Sequence, residues 1–153
     1  MANNSQQTPD IRPVMASEFD VWQQLFESYA KFYKVSIPEG GESRVWEWIH
    51  DADEPFWCDV AELDNHIIGF TQYQLMHRSL SGERVVYLSD LFVEPDTRGS
   101  GTGRLLIDHV FSFARHEGIS NVRWLTQDFN YRARELYDSY GSKSDFILYS
   151  FPV

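Results

Sequence analysis

Three glycines alternate in a short loop, at Gly99, Gly101 and Gly103, directly after Arg98 and before an apolar segment typical of a helix. Glycines let the backbone turn its amides toward one point, and the amino end of a following helix carries partial positive charge. The arginine adds a charged hydrogen-bond donor. The pattern predicts a site for an anion such as phosphate, with a glycine-rich turn that binds no ligand as the alternative.

Two known phosphate-binding motifs do not fit this loop. A P-loop ends in glycine, lysine and serine or threonine, whereas this loop ends in Gly103, Arg104 and Leu105. The dinucleotide fingerprint needs a further glycine where this chain has Arg104 or Leu106. What the loop shares with both is only the physics of backbone amides at a helix start.

The elements that must position the loop can be read from hydrophobic periodicity. The pattern predicts helices at 17–34, 42–50, from the loop to Gly118, and at 130–140, and strands at 11–15, 56–63, 66–76, 83–93, 121–126 and 144–151. This order indicates a mixed α/β domain with a mostly antiparallel central sheet flanked by helices. Residues 1–10 are expected to be a polar tail and residues 11–153 a single domain.

Composition narrows the class of protein. The chain has 153 residues, of which 42% are hydrophobic and 16% aromatic, which favours one globular domain over disorder. No apolar run is long enough for a membrane span, and the first ten residues lack the regions of a signal peptide. Cys58 is the single cysteine, expected to be a buried strand residue, and the five histidines lack metal-ligand spacing. We therefore expect a cytoplasmic protein without a metal.

The charge is distributed unevenly along the chain. The net charge is −10, of which residues 1–64 carry −9 and residues 65–153 carry −1. Nucleic acid is an unfavourable partner for such a chain. The acidic part would attract a cation, with solubility alone as the other explanation.

The loop and a later helix together resemble a known family. Arg98-x-x-Gly101-x-Gly103 after "LFVEP" resembles the acetyl-CoA signature of the Gcn5-related N-acetyltransferases (GNAT). "NYRARELYDSYG" resembles the later helix of that family, "VVYLSDLFV" and "VRWLTQ" resemble its central strands, and the order of elements agrees over roughly residues 11–151. The closing "DFILYSF" is most similar to the polyamine- and histone-acetylating branch, which includes the yeast Hpa-type enzymes.

The resemblance implies the acyl-CoA N-acyltransferase (GNAT) fold and a set of residues that bind acetyl-CoA. The loop amides and the helix start would hold the pyrophosphate, and the strand before the loop would pair with the pantetheine arm through its backbone. The residues implied are Leu91, Phe92, Val93, Arg98, Gly99, Ser100, Gly101, Thr102, Gly103, Arg104 and Asn130. For Asn130, capping of the helix is an equally open role.

The resemblance also implies two catalytic residues. Tyr137 stands where the family has its general acid, which protonates the departing thiolate; a core aromatic on a helix face is the other interpretation. Related polyamine enzymes carry a Glu-Asp pair where this chain has Ser89 and Asp90. Strand alternation puts these two on opposite faces, so Asp90 cannot simply replace the missing glutamate. The alternatives are a water chain to another acid, a water chain to Asp90 after a bulge, and an amine whose lowered pKa needs no strong base.

The implied reaction transfers an acetyl group from acetyl-CoA to a primary amine. The acidic amino-terminal part favours a cationic acceptor, namely a polyamine or a lysine of a basic protein. The alternatives are a small amino acid, an aminoglycoside-like amine, and a non-catalytic acyl-CoA sensor. The family implies a homodimer, and neither nucleic acid nor membrane is expected as a partner.

Overall fold

A computed structural model describes residues 7–153. Its core is a five-stranded sheet in the order β1-β2-β3-β4-β5. The strands are β1 (Asp10–Pro13), β2 (Phe56–Leu63), β3 (His66–Arg78), β4 (Glu83–Val93) and β5 (Val122–Trp124). The first four are antiparallel to their neighbours and only β5 runs parallel to β4. The predicted mixed, mostly antiparallel sheet is confirmed.

Helices cover both faces of the sheet. They are α1 (Phe19–Phe32), α2 (Gly41–His50), α3 (Thr102–His116) and α4 (Tyr131–Asp138), with short 3-10 helices at Ala16–Glu18 and Pro95–Thr97. On one face α1 buries Trp22 and Leu25 against Val60 and Phe70 of the sheet. On the other face α3 buries its apolar stripe, including Ile107 and Val110, against β3 and β4. Burial of these stripes supplies most of the favourable free energy of folding.

A bulge interrupts β4 at Ser89. Gln72 of β3 lies opposite Asp90 and the next residue, Tyr73, lies opposite Leu88, so Ser89 has no partner in that ladder. A bulge resets the alternation of side chains between the two faces. It therefore changes where the Asp90 side chain points relative to the residues before it.

Strands β4 and β5 separate at the bulge. Their ladder runs from the Val86–Val122 pair to the Leu88–Trp124 pair and ends there. Within residues 7–153, the end of β4, including Leu91 and Val93, thus has a neighbouring strand on one side only. On the other side these residues pair with no described strand, and we call the gap beyond the end of the β4–β5 ladder the cleft.

Several predicted boundaries are wrong. The helix predicted from residue 17 begins as the 3-10 turn Ala16–Glu18, because the Glu18 carboxylate accepts bonds from the Met15 amide (2.8 Å) and from Arg12 (2.6 Å). Strand β5 and helix α4 are shorter than predicted, and β1 begins at Asp10, one residue inside the expected tail, of which residues 1–6 lie outside the described part.

The last predicted strand, at 144–151, is not formed. Its apolar side chains are highly exposed, Tyr149 for example at 88%, as are Phe146 and Phe151. The alternating pattern is present, but among residues 7–153 the segment pairs with no strand of the sheet, and a strand needs a partner for its backbone groups. No described helix is long and apolar enough to cross a membrane.

Candidate active site

The glycine loop presents the uncapped start of a helix. Gly99 (φ 86°) and Gly101 (φ 82°) adopt the left-handed conformation that favours glycine, and Gly101 is the residue that precedes α3. No side chain of the described residues caps this helix, and the first helical bond runs from the Leu105 amide to the Gly101 carbonyl (3.1 Å). A phosphate would accept hydrogen bonds from the backbone amides that precede Leu105.

Hydroxyl groups fix the shape of the loop. Ser100 Oγ donates to the carbonyl of Thr97 (2.8 Å) and lies 2.8 Å from Oγ1 of Thr102, which is almost fully buried. These contacts tie the loop to the 3-10 turn before it. Ser100 and Thr102 therefore support the loop from within.

The two arginines of the predicted coenzyme site have different surroundings. Arg98 Nε donates to the carbonyl of Val93 (3.0 Å), and its guanidinium lies 4.7 Å from the ring centre of Phe32. Burial lowers the pKa of Arg98. Arg104 instead turns to the end of α4, where it donates to Ser139 Oγ (2.9 Å) and joins two helices.

The strand that precedes the loop offers its backbone rather than its side chains. Phe92 is buried in the core on the α1 face, next to Tyr29 and Phe70. Leu91 and Val93 point to the α3 side, where they pack near Leu106. Their free backbone groups along the open cleft have the geometry to bind an amide-containing chain.

Asp90 lies on the α1 face beside the cleft, in a chain of buried hydrogen bonds. Gln72 Nε2 donates to Asp90 Oδ2 (2.8 Å), and Trp22 Nε1 donates to Gln72 Oε1 (2.9 Å). Burial raises the pKa of Asp90, and hydrogen bonds from Gln72 and Tyr29 partly offset this. The bulge at Ser89 is what places Asp90 here, so simple alternation gave an incomplete prediction.

Ser89 stands where related polyamine enzymes carry a glutamate, and its side chain is a hydroxyl rather than a carboxylate. Its Oγ is buried and has no hydrogen-bond partner among residues 7–153. It cannot serve as a base in place of the missing carboxylate. Asp90 is thus the acid of this pair.

Helix α4 carries the two remaining predicted residues. Asn130 precedes the helix, and its Oδ1 accepts from the Ala133 amide (3.4 Å), so the capping role is present. Tyr137 packs edge-on against Trp124 of β5, with ring centres 5.6 Å apart. Burial, and then Tyr33, raise the pKa of Tyr137 to about 12.

Asp90 and Tyr137 lie near the same cleft, with Tyr29 of α1 near both. The pKa of Tyr29 is raised first by burial, then by Asp90, and to a smaller extent by Tyr33 and Tyr137. Asp90 and Tyr137 are therefore both within electrostatic reach of Tyr29. Sequence reasoning missed Trp22, Gln72 and Tyr29, since no motif marks them.

The arrangement suits acyl transfer from a thioester. An uncapped helix start can hold a pyrophosphate, and an open strand edge can hold the arm that carries the sulfur. Asp90 and Tyr137 supply a carboxylate and a phenol that could move protons in such a transfer. Among residues 7–153 no cluster of side chains could hold a metal ion.

Comparison with known proteins identifies the family. The model of the acetyltransferase (GNAT) family matches residues 22–141. The chain belongs to the GNAT acetyltransferase family. The D-amino-acid N-acetyltransferase HPA3 of Saccharomyces cerevisiae is 30% identical over 141 residues, which cover 91% of this chain and 88% of that protein. The thialysine N-epsilon-acetyltransferase of Mus musculus is 32% identical over 142 residues, 87% of this chain and 83% of that one.

Solved structures agree with this GNAT fold. The aminoglycoside N-acetyltransferase AAC(6')-Iy in complex with CoA superposes with a TM-score of 0.83 at 20% identity, covering 97% of both chains. The fold class and the acetyl-CoA co-substrate implied by the sequence are confirmed, and the chain is an acetyl-CoA-dependent N-acetyltransferase. The non-catalytic alternative has no support among these relatives.

Proposed function

We propose that this GNAT enzyme acetylates a cationic primary amine, either a polyamine or a lysine side chain. The observation that carries the proposal is the position of the acidic part of the chain. Residues 1–64, with a net charge of −9, include β1, α1, α2 and β2, and α1 covers the sheet face where Asp90 lies. An amine that approaches from this side meets a negative field.

Two carboxylates on this side illustrate the field. Glu27 of α1 and Glu42 of α2 lie near each other. Burial is the largest cause of the raised pKa of Glu27, and Glu42 is the next. Like charges held close together favour a nearby cation that relieves their repulsion. Gln23 partly stabilises this pair by donating to Glu42 (2.6 Å).

The proposed chemistry assigns one proton transfer to each cleft residue. Asp90 accepts a proton from the amine, directly or through a water, and the nitrogen attacks the thioester carbon. The C–N bond forms, the C–S bond breaks, and the thiolate is protonated with the Tyr137 hydroxyl as donor. The ammonium nitrogen loses two protons in all, one before and one after the attack, and Asp90 passes both to solvent. Tyr137 regains one proton from solvent, so the products are the amide, coenzyme A and one proton.

The residues proposed for the coenzyme divide into three groups. The backbone amides of Gly99, Ser100, Gly101, Thr102, Gly103 and Arg104 bind the pyrophosphate, and the backbone of Leu91, Phe92 and Val93 binds the arm. Arg98 and Asn130 contribute their side chains. What supports this proposal is the uncapped helix start together with the unpaired edge of β4.

An acceptor panel tests the proposal. Thiol release from acetyl-CoA is measured with a polyamine, a lysine-containing basic peptide, thialysine, a D-amino acid and an aminoglycoside. We expect the highest kcat/KM for the polyamine or the peptide. A clear preference for the D-amino acid, which the similarity to HPA3 would favour, contradicts the cationic acceptor and establishes the second candidate.

We also propose that the enzyme is a cytoplasmic homodimer. The exposed apolar segment 144–151 supports the dimer, because a second copy would remove it from water. Cys58, buried and free, suits a reducing compartment. Sedimentation of the full chain, compared with the Ile147→Lys variant and the Ser150→Lys control, tests the dimer: a monomeric parent contradicts it.

A further inference from the structure

Two residues far from any motif control the surroundings of Asp90. Trp22 of α1 and Gln72 of β3 are 0% and 1% exposed, and they form one continuous chain with Asp90 through bonds of 2.9 Å and 2.8 Å. Trp22 stacks on Phe26 and packs against Trp46, which fixes the indole ring in place. The chain is therefore rigid at its far end.

The direction of this chain follows from the donor inventory. An indole N–H only donates, so the group facing Trp22 must be the carbonyl oxygen of the Gln72 amide. The amide NH₂ must then face Asp90, and an NH₂ only donates. The Asp90 oxygen that meets it must accept, which a carboxylate does on every lone pair.

We infer that Trp22 and Gln72 are positioning residues that hold Asp90 as a proton-accepting carboxylate oriented for the amine. The inference rests on the proposed function of Asp90 as the base. Neither residue touches the acceptor or the coenzyme in this role. Both act through the state and direction of one carboxylate.

The hydrogen-bond chain offsets part of the cost of burying the charged Asp90 carboxylate. Burial raises the pKa of Asp90, and the bond from Gln72 is the first of the interactions that lower it. The other titratable groups that interact with Asp90 are Tyr29 of α1, Tyr87 of β4 and Cys58 of β2, whose own pKa values are all raised. No cation is among the groups that shift the pKa of Asp90, so neutral groups, first Gln72 and then Tyr29, offset the effect of burial.

The pH profile of kcat/KM tests the inference. In Gln72→Met the donor to Asp90 is lost, the pKa of Asp90 rises, and the acidic limb moves to higher pH by about one unit, the size of one hydrogen bond to a charged group. In Trp22→Phe the amide loses its anchor, and the limb moves in the same direction by less. Activity at high pH recovers in both variants.

A matched control lies on the opposite face of the sheet. Tyr73 donates to the buried carboxylate of Asp59 (2.7 Å), so Tyr73→Phe also deletes one buried donor to a carboxylate. We expect it to lower the thermal midpoint without moving the limb. Because the free amine has the same pKa in every assay, a shift between variants belongs to the protein.

The possible results distinguish failure of the proposed function from failure of the positioning role. A parent enzyme without thiol release for any amine removes the proposed function. An active parent whose acidic limb is unchanged in Gln72→Met, or shifts equally in Tyr73→Phe, overturns the positioning role alone. If Trp22→Phe does not fold, Gln72→Met and its control still decide.

Discussion

Burial raises the pKa of both Asp90 and Tyr137, and the two shifts have opposite consequences for catalysis. The phenol must keep its proton until the thiolate departs, so a pKa of about 12 keeps it a donor at neutral pH. A thiol titrates near 8.5, so full transfer from such a phenol is uphill by about three to four pH units. In the proposed reaction Tyr137 therefore stabilises the developing negative charge on sulfur first and gives up its proton late.

Replacing Tyr137 with phenylalanine removes the hydroxyl and keeps the ring against Trp124. We expect kcat to fall roughly a hundredfold, at the low end for a positioned acid, with acetyl-CoA affinity nearly unchanged. The loss shrinks as pH falls, because solvent acid then protonates the thiolate. Stopped-flow thiol release at several pH values measures this.

Tyr140, one turn further on, provides the control for Tyr137. Its hydroxyl bonds Asp108 (2.9 Å), and burial and Asp108 raise its pKa to about 12. Tyr140→Phe removes an equivalent hydroxyl outside the cleft, so kcat should stay within a few-fold of the parent. Equal kcat in both variants would end the role of Tyr137 as a proton donor.

At the residue scale the sequence predicted what lies in motifs. Tyr137, Asp90 and the Asn130 cap all belong to recognisable local patterns. Trp22 and Gln72 are 50 positions apart, and each alone is typical of an ordinary core residue or a strand residue. Their pairing depends on how α1 crosses the sheet, which periodicity does not specify.

At the scale of elements, the loop and α3 form one unit in which each glycine has a different task. Gly101 has φ 82°, a conformation that L side chains rarely adopt, whereas an added Cβ there would meet open space. Gly103 is helical, and a Cβ there would lie 3.6 Å from Leu136, an ordinary contact. Backbone shape and backbone access can therefore be tested separately.

The two alanine variants should differ in their effect on acetyl-CoA. Gly101→Ala strains the loop by about 1–2 kcal/mol, so we expect roughly tenfold weaker binding. Gly103→Ala keeps the backbone, and it weakens binding only if the pyrophosphate contacts this Cα. Isothermal calorimetry and thermal midpoints measure both. Unchanged affinity in both variants would contradict the loop assignment.

The order of elements was predictable because periodicity reports which face of a helix or strand is buried. The bulge at Ser89 and the end of the β4–β5 ladder were not, because both depend on pairing between distant segments. The unformed strand at 144–151 shows the same limit: its pattern is correct for a strand, but the pattern does not specify the strand with which it would pair.

At the scale of the whole molecule, charge is distributed unevenly between the two parts of the chain. The acidic amino-terminal part covers the Asp90 face, and the part that follows is nearly neutral and supplies the glycine loop with Arg98. A cationic acceptor and an anionic coenzyme would thus approach through different fields. Burial of tyrosine side chains also makes the stability of the fold depend on pH in alkaline solution.

Stability should fall in alkaline solution. Burial raises the pKa of Tyr29, Tyr73 and Tyr137 above the value of about 10 for an unfolded chain, so the folded state binds protons more tightly. This contribution is complete below pH 10 and is lost as pH rises above it. Thermal midpoints at pH 8, 9, 10 and 11 should decline most in the last interval. A flat profile would contradict the burial of these phenols.

Salt should act on the acceptor more than on the coenzyme. Between low salt and about 0.5 M NaCl the Debye length falls below 5 Å, so the field of the acidic face no longer extends to an approaching amine. We expect the KM of a polyamine to rise about tenfold, and that of an aromatic amine, uncharged at the assay pH, to change little.

Charge reversal of Glu27 and Glu42, which repel each other on the α1–α2 side, should remove part of the salt effect. The matched control reverses Glu117, an exposed acid at the end of α3. Equal salt sensitivity for charged and neutral acceptors would show that the acidic surface serves solubility and that acceptor choice is made by contacts inside the cleft.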